Sequence, residues 1–121
     1  MNMLLLVAAL ACSEPTAPVT ADPVAIDTVV EALEEVPIHY ARGHDDAARQ
    51  SWRVAHAAFD EGVEPALRTQ WGRQRTAELE YLFGRLRHEL DATSGDPAPL
   101  TKDLLSRLGD VPRQTPPPPV Q

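Results

Sequence analysis

Aromatic residues make up only 5% of this 121-residue chain, and cysteine occurs once. The first scarcity means that a core has to be assembled from Leu, Val and Ala, of which Leu and Ala lead the helix propensity scale. The second excludes an intramolecular disulfide, and Cys12 stands at no zinc-ligand spacing. Basic residues are few: 11 Lys and Arg face 18 Asp and Glu, a net charge of −7. Such a surface repels nucleic acid and offers no basic patch large enough to release many counterions, so nucleic acid is excluded as a partner. No apolar run approaches the roughly 20 residues that a helix needs to cross a bilayer. There is no Gly-rich phosphate loop, and Ser13, Ser51, Ser94 and Ser106 sit in no nucleophile context. The expectation is therefore a protein that is not an enzyme.

What is present is helical periodicity between two unpatterned ends. Residues 1–11, MNMLLLVAALA, have the length of a signal-peptide apolar region and lead through small residues into Cys12. This resembles a bacterial lipoprotein signal, with Cys12 as the acylated (palmitate-bearing) residue and membrane anchor. Residues 12–21 then read as a flexible tether. The tether lacks an aspartate retention signal after Cys12, so the expected location is the cell envelope, on the outer membrane facing the periplasm in a Gram-negative cell.

Residues 22–109 are expected to form one all-α domain, a small up-and-down bundle of three to four helices with a long third helix. Asp22-Pro23 has the form of an N-cap and first helical position. The first helix carries its apolar side on Val24, Ala25, Thr28, Val29, Ala32, Leu33 and Val36, and Pro37 predicts its end near Glu35. A second helix starts near His44 or Asp45, with Ala48, Trp52, Ala55 and Phe59 as its core stripe. Gly62 and Pro65 predict a break, with Glu64 as cap and Pro65 opening helix three; a kinked continuous helix is the alternative. Helix three runs over about 65–91 with one stripe through Leu67, Trp71, Gln74, Glu78, Leu82, Leu86 and Leu90, widened by Leu79 and Phe83. As a straight rod it would be about 40 Å long. A short helix over about 99–108 follows, and residues 110–121 read as a disordered proline-rich tail.

Charge is uneven along this frame. Residues 12–64 hold eleven acids against three bases, whereas residues 65–90 hold five bases against three acids. Pairing between the acidic first half and the basic long helix is the plain expectation; attraction of a cation or a cationic partner is the other. The densest chemistry lies in Trp52–Leu67. His56 and Asp60 are one turn apart, Glu61 and Glu64 are three apart, and Glu80 follows on the next helix. Carboxylates this close raise one another's pKa unless a cation offsets them. Asp60, Glu61, Glu64, His56 and Glu80 are therefore the candidate metal ligands, with arginines such as Arg53 and Arg68 as the competing neutralisers. Imidazole with carboxylates suits iron, manganese or zinc. The paired Glu-x-x-His motifs of a di-iron bundle are absent.

The segment YARGHDDAARQSWRVAHAAFDEGVEPALR, followed by the ELEYLFGRLR of the long helix, resembles the extracytoplasmic N-terminal domain fused to bacterial high-affinity iron permeases. The positions that carry the likeness are Tyr40, Gly43, Ala47, Ala48, Ala55, Glu61, Glu64, Pro65 and Leu67, then Glu78, Leu79, Glu80, Phe83, Leu86 and Arg87. His56 departs from the tyrosine usual there, and Asp60 from phenylalanine. The permeases' membrane helices and Arg-Glu-x-x-Glu iron motif are not in this sequence. The resemblance implies a free-standing, lipid-anchored helical protein that binds iron or another divalent cation and hands it to an iron permease or other membrane protein. It makes Glu61 and Glu64 the residues to test. A metal-free protein-interaction module of the cell envelope is the alternative expectation.

Overall fold

The computed structural model describes residues 20–112. The apolar run, Cys12, most of the tether and nearly all of the proline-rich tail lie outside the described residues. The domain is an all-α bundle of α1 (Pro23–Ala41), α2 (Asp45–Ala58), α3 (Glu64–Asp91) and α4 (Ala98–Gly109), with a π-helical turn, Phe59–Val63, joining α2 to α3. None of the helices among the described residues is long and apolar enough to cross a membrane.

The start of α1 follows the sequence expectation: the Asp22 carboxylate accepts from the Val24 amide at 3.0 Å. Its end does not. Pro37 lies inside the helix, which runs on to Ala41. The stop is set instead by Gly43, at φ 78°, whose amide bonds the Tyr40 carbonyl while the His44 amide bonds that of His39. These two bonds make the left-handed glycine cap that terminates many helices. The expected stripe holds at Val29, Ala32, Leu33 and Val36, which are buried, and differs only in the first turn. Ile26 is fully buried and Val24 is 70% exposed.

α2 buries Ala48, Ser51, Trp52 and Ala55, and Phe59 continues the stripe. The predicted break at Gly62 is not a break. Pro65 cannot donate to the Glu61 carbonyl, and the backbone absorbs this by widening one turn. The Glu64 amide reaches back five residues to the Phe59 carbonyl, and Glu64 keeps helical torsions. The turn packs directly under the N-terminus of α1, where the Asp22 amide donates to the Gly62 carbonyl at 3.3 Å.

The long third helix is present, but it is not a straight rod. Gly72, at φ 83° and ψ 172°, turns the chain within α3. The segment after it returns alongside α2. Arg49, Trp52 and His56 meet Leu90, Phe83 and Glu80 in reverse order. The single predicted stripe accordingly splits in two. Ala66 and Leu67 are buried before the turn; Thr76, Leu79, Leu82, Phe83, Leu86 and Leu90 are buried after it, while Gln74 and Glu78 face solvent. α4 closes the bundle with Leu104 and Leu108 buried, and Arg107 bridges to Glu78 at 3.5 Å.

The expected pairing between the acidic first half and the basic long helix includes Glu64 with Arg68, at the junction of the two. Arg49 pairs with Asp46 and Arg107 with Asp103 within their own helices, and Arg107 also reaches Glu78.

A Cβ at position 62 would collide with the Ala25 methyl of α1. Gly62→Ala is expected to cost about 1 to 3 kcal/mol by this overpacking, read as a lower urea midpoint with an unchanged slope.

Candidate metal centre

Three facts of backbone geometry place the side chains. His56 and Asp60 are four residues apart on the last turn of α2 and the π turn. Glu64 follows four residues later, so the three form a ladder along one side of the elbow. The return arm of α3 then lays Glu80 across that ladder. His56 Nε2 is 3.1 Å from Glu80 Oε2 and 3.6 Å from Asp60 Oδ1. One ligand atom from each of His56, Asp60 and Glu80 lies within 4.8 Å of the other two.

The imidazole is held on two sides. It stacks on the Trp52 indole with centroids 4.8 Å apart and planes 14° apart, and it lies 5.2 Å from the Phe83 ring. Trp52 is itself pinned, since its Nε1–H donates to the Phe83 carbonyl at 2.9 Å. Sequence reasoning took Trp52 and Phe83 as core only. Their contact with the histidine depends on the return of α3, which nothing local announces.

Of the five predicted ligands, the fold thus brings together His56, Asp60 and Glu80. Glu64 stands beside Glu80, but its Oε1 is taken by Arg68. Glu61 is exposed and lies outside the cluster. One residue along a helix is a rotation of about 100°, so Asp60 and Glu61 cannot both face Glu80. Cys12 lies outside the described residues.

Burial, and then hydrogen bonding with the Asp60 carboxyl, push Glu80 up to about 7; His56 opposes the rise and Glu64 adds to it. The two separations from His56, 3.1 and 3.6 Å, are near those between neighbouring ligands of a small cation, and the third ligand atom lies within 4.8 Å. With ligand atoms about 2.1 Å from an ion, neighbouring ones stand about 3.0 Å apart in octahedral and about 3.4 Å apart in tetrahedral geometry. One imidazole and two carboxylates favour iron, manganese or zinc over the hard cations that prefer oxygen alone. A recess lined by Glu64, Arg68, Arg73, Thr76, Ala77 and Glu80 opens beside the cluster.

No family model matches the chain, and no curated protein and no solved structure matches it.

The raised Glu80 gives a signed pH dependence. The folded state holds a proton that the unfolded chain releases, so this group's contribution to stability falls as pH rises from about 4.5 to about 7 and is level above that. Glu80→Gln should therefore match the wild type near pH 4 and exceed it at pH 8. The gain should be about 1 to 2 kcal/mol, allowing for solvent screening of a partly exposed carboxyl. Urea melts of both proteins across this range check it; parallel curves would contradict the assignment.

Proposed function

We propose that this domain binds a divalent cation, iron foremost, through His56, Asp60 and Glu80, and hands it to a membrane permease at the cell envelope. The observation that supports the binding step is the convergence of one imidazole and two carboxylates from α2, the π turn and the return arm of α3. The cation is cargo in this reading. The groups that would hold it are partly open to solvent, as a donor protein requires: Asp60 is 44% exposed, and Glu80 33%. Release is tied to pH, because loading displaces the proton held near Glu80 and acid restores it. The handover partner and the envelope location rest on the resemblance to the permeases' outer domain and on the lipoprotein-like run before Cys12.

A second reading has one observation of its own. Glu64 is already neutralised by Arg68, which suits a metal-free interaction module in which the carboxylates serve as local ion pairs.

Calorimetric titration of the purified protein with ferrous, manganous and zinc ions separates the two. One equivalent should bind more tightly than about millimolar, with affinity rising between pH 6 and 8. Binding should be lost in His56→Ala and Glu80→Ala and kept in Glu61→Ala. Absence of binding, or binding indifferent to His56→Ala and Glu80→Ala, leaves the interaction module. Palmitate labelling in cells checks the anchor: label is expected on the full chain and should vanish in Cys12→Ala.

A further inference from the structure

Gly72 is the one non-helical residue in an otherwise helical run from Asp45 to Asp91. Its torsions, φ 83° and ψ 172°, lie in a region that is essentially glycine's alone. A single residue therefore decides whether residues 73–112 fold back on α2 or continue straight away from it. The returning arm carries Leu79, Leu82, Phe83, Leu86, Leu90 and Leu104 into the core. None of these contacts requires the arm to come from the same chain; the interactions across the hinge itself, the Thr76 hydroxyl donating to the Gly72 carbonyl at 2.9 Å and Arg75 lying 4.0 Å over the Trp71 ring, join residues four apart and are compatible with a continuous helix. Gly72 is exposed, and a Cβ built on it meets nothing within 4 Å. Short hinges between packed elements favour exchange of those elements between copies.

We propose that Gly72 is an exchange hinge through which two copies of this chain swap residues 73–112, forming a dimer in which each cluster joins His56 and Asp60 of one copy to Glu80 of the other. The partner surface is the one that the arm already covers in the closed chain, so the core and the Trp52–Phe83 hydrogen bond are rebuilt unchanged. The straightened hinge gains continuous helical hydrogen bonds and gives up the glycine-only torsions. The proposal is independent of whether the cluster holds a metal.

The test uses full-length chains carrying Cys12→Ala, one with His56→Cys and the other with Glu80→Cys, mixed and equilibrated at about 1 mM, the order of effective concentration of a short tether. A short bismaleimide then joins the two cysteines. The exchanged dimer gives a cross-linked heterodimer, and Gly72→Ala should raise its yield at least tenfold, since only the backbone torsion is altered at that open position. Two glycines inserted after Gly72 should lower it. A folded Gly72→Ala that remains monomeric by light scattering, or the absence of a cross-linked heterodimer from it, overturns the proposal. If Gly72→Ala does not fold, the yield with the unaltered hinge decides alone: a heterodimer supports exchange and its absence overturns it.

Discussion

The hydrogen bond from the Trp52 indole to the Phe83 carbonyl sets the register of the returning arm against α2. It is buried, and losing a buried polar partner costs on the order of 1 to 3 kcal/mol, enough to discriminate against neighbouring registers of an otherwise greasy helix pair. Leucine stripes alone tolerate sliding; an indole N–H directed at one carbonyl does not. The same indole gives the histidine its flat wall, and Arg87 lies over the Trp52 ring at 5.5 Å. One side chain thus joins the packing of the bundle to the geometry of the cluster. His56 meets Glu80 because Trp52 has already met Phe83.

The rest of the elbow is a response to Pro65. A proline within a helical run removes one hydrogen bond and crowds the preceding turn. Here the run is preserved by a five-residue bond from Glu64 to Phe59, and π turns of this kind are frequent at functional sites. Asp60 sits within the widened turn, and Glu64 at its exit. The local distortion and the dense charge therefore lie in the same turn.

Much of the fold is legible in the residues, and the misses share a cause. The cap at Asp22, the core stripe of α2 and the short α4 follow from local patterns, so the sequence reads them. The end of α1 was misplaced because Pro37 is a local stop signal overridden by the burial of Val36 and the cap at Gly43. The α3 stripe was read through Gln74 and Glu78, two polar residues that a core stripe should not contain. Together with Gly72 they were the available sign that the phase changes midway. In the site, the sequence marks Asp60 and Glu80 as candidates but gives no ground for separating Glu61 from them. The choice between adjacent carboxylates depends on which side the returning arm passes, and that is a tertiary fact.

The π turn has a consequence for how this chain tolerates change. Such a turn is an α-helix carrying one additional residue, so its geometry is a matter of residue number before it is a matter of residue type. Deleting one residue between Phe59 and Val63 would swing everything beyond it by about 100° relative to α2 and press the Pro65 ring against the carbonyl one turn back. Leu67 would leave the core and Glu64 would leave Glu80, although every side chain named in the cluster would still be encoded. The elbow should absorb many substitutions at its exposed positions and very few changes in length.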